Sequence, residues 1–209
     1  MAKTLRFLLV LLALSLVSTL AHAEGGNEDK GGSDGPSARE VMEGTVVEVV
    51  AILKDASMDT QARRGKLEQI AYDRFDFRTM SRLVLAKNWR RLSKDQQKEF
   101  VKEFRLYLAN DYGSRLDRYG DEDVAIVGER SEARGDVTIK TEIQGGENNG
   151  ALVDYRMRDK KTDWKIIDVV IEGISMVANF RDQFREVISK DGPEGLLEKL
   201  KEKNASNQA

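Results

Sequence analysis

The chain has 209 residues, with 34 lysines and arginines against 36 aspartates and glutamates, one histidine and no cysteine. Its net charge is only −2, and no long basic tract is present to follow a phosphodiester backbone, although short clusters such as Arg63-Arg64 and Arg90-Arg91 occur. Nucleic acid is therefore not expected as a partner, and the missing cysteines exclude thiol nucleophiles, thiolate metal sites and disulfides.

Lys3 and Arg6 precede the apolar run FLLVLLALSLVSTLA, which ends at Ala21-His22-Ala23. These are the basic, apolar and small-residue parts of a secretory signal. The run is shorter than the roughly 18 to 20 residues of a spanning helix, so cleavage after Ala23 and export are expected. Processing removes the only histidine, which also excludes histidine-based acyl-transfer triads and imidazole metal sites. No cysteine stands at the cleavage point to take a lipid anchor. Carboxylates, lysines, tyrosines and hydroxyls remain, an inventory that suits a binder rather than an enzyme, with no cofactor and no metal.

Residues 24–37, EGGNEDKGGSDGPS, are glycine-rich, charged and nearly free of apolar groups, and are expected to form a disordered leader. A single domain over 38–203 follows, and 204–209, NASNQA, reads as a flexible tail. The first half of the domain has helical periodicity. Val46, Val47, Val50 and Leu53 mark a helix from about 38 to 56, and Leu67, Ile70 and Ala71 a second after Thr60. Asp76 is placed to cap a third through FRTMSRLVLA. Ser93 and Gln96 form the capping box of a long fourth, with Phe100, Phe104, Tyr107, Leu108 and Tyr112 at three- and four-residue steps.

The second half alternates with period two. VAIVGER, DVTIKTEI, ALVDYRMR and WKIIDVVIE, separated by turn-prone ARGD and GGENNG, predict four antiparallel strands in a meander. Val137, Ile139 and Ile143 oppose Thr138, Lys140 and Glu142, and Val153, Tyr155 and Met157 oppose Asp154, Arg156 and Arg158, so one face is apolar and the other wet. Simple alternation in the last strand puts Ile167, Val169 and Ile171 on one side and Ile166, Asp168 and Val170 on the other. Gly173 is expected to turn that strand directly into the helix ISMVANFRDQFREVISKDG, with Pro193 opening a short final helix, PEGLLEKLKEK. Asp168, beside so many apolar residues, needs a partner, for which Arg156 or Arg158 on the preceding strand is placed. Asp168 and Glu172 as a catalytic pair would lie about 13 Å apart along the strand, too far for glycoside hydrolysis. Asp154 with Asp168 is the closer alternative.

FDFRTMSRLVLAKNWRRLSKDQQKEFVKEFRLYLANDYGSRL and VDYRMRDKKTDWKIIDVVIEGISMVANFRDQF resemble the two signature stretches of the MlaC family, the toluene-tolerance periplasmic phospholipid-binding proteins. With the signal and the final GPEGLLEKL, the resemblance spans nearly the whole folded chain. One departure is Ala86, where the family pattern usually has glycine, in the turn after the third helix. The resemblance implies an α+β fold of N-terminal helices packed on a four-stranded antiparallel meander, C-terminal helices, and an apolar cavity between sheet and helices. It also implies a monomeric carrier of glycerophospholipid between an outer-membrane lipoprotein complex and an inner-membrane ABC transporter complex, which maintains outer-membrane lipid asymmetry. A periplasmic chaperone or adaptor without lipid, and a histidine-free enzyme on a similar cone-shaped fold, are the alternatives. Taken by face, the lipid-binding candidates are Ile139, Val153, Tyr155, Met157, Val169 and Ile171 on the sheet and Phe104, Tyr107 and Tyr112 on the long helix. Arg82, Arg105 and Arg156 are unranked candidates for the phosphate.

Overall fold

The computed structural model describes residues 35–116, 122–161 and 163–207. The signal, and the leader up to residue 34, lie outside the described residues. Helix α1 (Ala38–Lys54) begins at Ser37, which the composition assigns to the leader. Its hydroxyl accepts the Glu40 N–H at 3.2 Å while the Glu40 carboxylate accepts the Ser37 N–H at 2.7 Å, a reciprocal cap that fixes the first turn. Val46, Val49, Val50 and Leu53 are buried, but Val47 is 59% exposed. At about 100° per residue, the buried stripe centred on the other four leaves Val47 off its edge.

Asp59 caps α2 (Thr60–Arg74) through the Ala62 N–H at 2.8 Å, and Asp76 caps α3 (Phe77–Leu85) through the Thr79 N–H at 2.8 Å. The chain then passes Ala86 at φ 49°, in the region that favours glycine, into a 3-10 turn over Ala86–Arg91. The expected Ser93 and Gln96 box opens α4 (Lys94–Leu116) with bonds of 2.8 and 3.2 Å.

The sheet is an antiparallel meander in the order β1 (Asp123–Ser131), β2 (Val137–Gln144), β3 (Leu152–Asp159), β4 (Trp164–Ile171) and β5 (Ile174–Ser175). The fifth strand comes from Ile174 and Ser175, expected in the helix. Glu172 and Gly173, at φ 49° and 78°, make a two-residue turn that folds them back onto β4. The strand therefore reaches the last helix through a hairpin rather than directly. A bulge also changes the faces of β4. Arg156 pairs with Asp168 but Met157 pairs with Ile166, so Ile167 has no opposite residue. Ile166 is thereby brought to the face of Val169, against the simple alternation, and Ile167 is fully buried.

Helix α5 (Met176–Ser206) is broken at Gly192, φ 72°, with Pro193 next, giving the two helical arms the sequence predicts. The helix continues past 204, where the tail was expected to start. Asn204 is 3% exposed and its amide donates to the Glu103 carbonyl and carboxylate at 2.9 Å each, so burial and hydrogen bonding order it.

Two hydrophobic cores result. In the first, α1 and α2 cover the apolar sheet face. The second is enclosed by α3, α4, α5 and the 3-10 turn. Phe75, between α2 and α3, and Met176, at the start of α5, are half-buried and touch both. The Asp76 N–H donates to the Ile166 carbonyl at 2.9 Å and ties the α2–α3 junction to β4.

Candidate functional site

The candidate lining residues divide between these two cores. Ile139, Val153, Tyr155, Met157 and Val169 are 0 to 3% exposed in the sheet-side core, with half-buried Ile171 packed against it. Phe104 is fully buried in the helical core, and Tyr107 and Tyr112 lie half-buried at its edge. The α4 aromatics therefore do not face the apolar sheet, as the sequence reading expected. Helix α4 turns its rings toward α5, where Phe104 meets Phe180 at 5.4 Å and Phe184 at 6.0 Å, edge to face, and Tyr107 meets Phe180 at 5.9 Å. The sheet instead faces the aliphatic side chains of α1 and α2. Val46, Val49, Val50, Leu53, Leu67 and Ile70 of α1 and α2 pack where the space between sheet and helices was expected.

One polar atom interrupts this apolar packing. Tyr155 is 3% exposed, its hydroxyl has no hydrogen-bond partner among the described residues, and burial pushes its pKa above the ordinary phenol value. By contrast, the nearby Thr141 hydroxyl donates to the Val153 carbonyl at 2.5 Å.

On the opposite, wet face Asp168 and the two arginines are arranged differently from the sequence expectation. Asp168 accepts the Ser175 hydroxyl at 2.5 Å and the Val177 N–H at 3.0 Å, so it caps α5 beside the N-cap Ser175 instead of pairing with an arginine. Arg156 and Arg158 both turn to Asp136, at 2.9 Å and at 2.6 and 2.7 Å. Asp136 is fully buried, and sequence reasoning missed it because it precedes β2 in a turn-prone stretch. Burial alone would raise its pKa, but the Arg158 and Arg156 guanidinium groups outweigh that and hold it below the usual aspartate range. Asp76 is likewise lowered, with burial opposed by Lys160 at 2.5 Å and by Thr79. Asp154 is raised, chiefly by burial, against the pull of Lys140 and Arg130.

The carboxylates paired in the sequence reading each have other partners or neighbours. Glu172 accepts the Leu152 N–H at 2.6 Å while Asp168 is engaged at α5, so each serves the backbone. Asp154 and Asp168 do share a polar cleft of about 350 Å3, but Arg130, Arg156 and Arg181 line it with them. Of the other basic candidates, Arg105 lies 4.0 Å over the Tyr72 ring, and Arg82 lines a separate hollow at the start of α4.

An antiparallel meander with one face packed under two helices, joined to a helical lobe with its own core, defines an α+β fold with two adjoining apolar cores. Residues 43–202 match the model of the MlaC protein family, and the chain belongs to that family. It is similar to the toluene tolerance protein ttg2D of Pseudomonas putida, 24% identical over 160 residues that span 73% of this chain and 74% of that one. It is also similar to the intermembrane phospholipid transport system binding protein MlaC of Haemophilus influenzae, 23% identical over 57% of this chain and 58% of that one. Among solved structures, a phospholipid-binding protein from Ralstonia solanacearum in complex with a phospholipid aligns with a TM-score of 0.73 and 25% identity, over 83% of this chain and 100% of that one. Among the described residues, no helix is long and apolar enough to cross a membrane.

Proposed function

We propose that the protein is a soluble periplasmic carrier of glycerophospholipid, with the acyl tails held against the apolar sheet face. The observation that carries this reading is the alignment, over the whole length of the other chain, with a protein solved with a phospholipid bound. The sheet-side core supports it physically. Sheltering two chains of about sixteen carbons at roughly 0.8 kcal/mol per methylene requires on the order of 25 kcal/mol of apolar contact. Only a continuous apolar face such as that of Ile139, Val153, Met157 and Val169 supplies contact on this scale. Helices α1 and α2 cover that face in the structure. On loading, acyl methylenes take over the contacts that their valines and leucines make, so opening does not expose the sheet to water. A lipid ester carbonyl is the acceptor that the Tyr155 hydroxyl lacks. Half-buried Phe75 and Met176, which touch both cores, mark the seam along which the helices part from the sheet.

On this reading the carrier exchanges lipid between an outer-membrane lipoprotein complex and an inner-membrane ABC transporter complex, contributes to outer-membrane lipid asymmetry, and has no catalytic step. Mass spectrometry of organic extracts from protein purified out of the periplasm tests it. Glycerophospholipid is expected with the native protein, and stripped protein should reload from vesicles. Protein that carries no lipid and takes none up at micromolar concentration would refute the carrier and favour an adaptor.

A further inference from the structure

A hollow of different chemistry lies away from the sheet. Its volume is about 560 Å3, and its walls are Arg78 and Arg82 of α3, Trp89 and Arg90 of the 3-10 turn, and Lys94 and Gln97 at the start of α4, with no residue from the sheet, α1 or α2. From Phe77 to Lys94 the chain has six basic residues and no acidic one, although the whole protein is slightly acidic.

These charges are not neutralised within the fold. Among the described residues, neither an ion pair nor a side-chain hydrogen bond engages Arg78, Arg82, Arg90 or Lys94, whereas Arg130, Arg156, Arg158, Lys160 and Lys165 each have an acidic partner. The acids nearest in sequence are engaged elsewhere, Asp76 by Lys160 and Asp95 by Lys98. Arg78 and Arg82 stand one turn apart on α3, a like-charge spacing that disfavours the helix unless an anion lies between them.

The wall is also held in place. Gln97 is 5% exposed, and its amide donates to the Trp89 carbonyl at 2.9 Å and the Leu92 carbonyl at 3.1 Å, pinning the 3-10 turn to α4. The N-terminal end of the 23-residue α4, with its partial positive charge, opens beside Lys94. Three guanidinium forks and an ammonium exceed what one carboxylate can engage, while a phosphate offers oxygens on several sides. A concave wall of one sign also concentrates its counter-ion.

We propose that this hollow binds the phosphate group of an anionic phosphate ester, either free in solution or presented by a lipid headgroup at a membrane surface. The site is separate from the acyl cargo on the sheet, so it stands or falls independently of the carrier reading. Trp89 is a built-in reporter, because Trp164→Phe leaves it the only tryptophan. In that background, glycerol 3-phosphate should shift Trp89 emission saturably. Arg78→Gln with Arg82→Gln should weaken the response at least tenfold, and Arg90→Gln on another wall should weaken it in the same direction. Lys199→Gln with Lys203→Gln, which removes equal charge elsewhere, should leave it unchanged. In a second arm, flotation with vesicles containing phosphatidylglycerol is compared with vesicles of phosphatidylcholine alone. A response to the free ester identifies a soluble ligand. Flotation that depends on phosphatidylglycerol and on Arg78 and Arg82, without a response to the free ester, identifies a headgroup. No response in either arm, or equal loss in the α3 and α5 double variants, would overturn the proposal.

Discussion

The sheet-side core and the helical core are both dry, but they are held by different kinds of contact. Against the sheet, α1 and α2 place mostly valine, leucine and isoleucine, whose contacts are non-directional and interchangeable with methylenes. Between α4 and α5, Phe100, Phe104, Phe180 and Phe184 pack mainly edge to face, with centroids 5.4 to 6.5 Å apart, a geometry that an acyl chain cannot reproduce. On the proposed function, the aromatic lobe preserves the fold while the aliphatic face exchanges its partners.

The largest effect should come from the aromatic lobe. Phe104→Ala removes a fully buried ring with three ring neighbours and is expected to cost about 3 to 5 kcal/mol in denaturant unfolding. Lipid content should fall only as far as the folded fraction does. Loss of lipid from a protein that remains fully folded would place cargo in the helical core and break the comparison.

The wet face of the sheet has a third kind of support, in which Asp136 holds two strands through Arg156 and Arg158. Asp136→Asn is expected to cost about 2 to 3 kcal/mol at neutral pH, below the figure for a fully buried pair because both arginines are about one-third exposed. A carboxyl whose folded pKa is depressed adds stability above its unfolded value and loses it as pH falls through the folded one. Unfolding measured from pH 7 downward should therefore show wild type and variant converging below about pH 4, near the unfolded aspartate value. A constant gap would show that packing, not charge, sets the cost.

Val153→Trp sharpens the comparison from the sheet side. Overpacking the closed face is expected to cost about 1 to 3 kcal/mol, and vesicle uptake should fall tenfold or more because the ring occupies acyl space. Leu197→Val in the helical core, at a cost of about 1 kcal/mol, should leave uptake unchanged. If the two variants lose uptake only in proportion to their stability, Val153 is ordinary core.

The smallest effect is expected at Tyr155. Tyr155→Phe removes a hydroxyl that has no hydrogen-bond partner among the described residues, so the stability of the stripped protein should change by less than about 1 kcal/mol. Reloading from vesicles should weaken several-fold if a lipid ester meets that hydroxyl. Unchanged reloading would confine Tyr155 to packing.

Much of the architecture was legible in the chain because it depends on neighbours in sequence. The Ser93 cap, the Asp76 cap, the two-faced strands and the Gly192–Pro193 break are local agreements between side chain and backbone, and all occur where the sequence places them. Apart from the local Ser37–Glu40 cap, the departures involve partners distant in sequence. Composition could not foresee that Ser37 and Asn204 would be ordered, because one depends on a reciprocal cap and the other on Glu103 across the fold. Period-two alternation could not register the bulge at Ile167, since a bulge exists only relative to the opposite strand. The Arg156 and Arg158 partner was misassigned for a similar reason, because both Asp168 and Asp136 were within reach and the competing bonds at the α5 N-terminus decided between them.

By itself, the sequence determined the α+β class, the order of its elements, the apolar sheet face and the absence of thiol chemistry, since composition and periodicity are properties of the chain. Only the tertiary structure decided which surface that face meets. A helix with apolar residues on more than one side can turn different residues toward different neighbours, and α4 turned its aromatic stripe to α5, leaving the sheet to α1 and α2. The same folding gathered four unpaired cations around one hollow, a convergence set by how α3, the 3-10 turn and α4 pack.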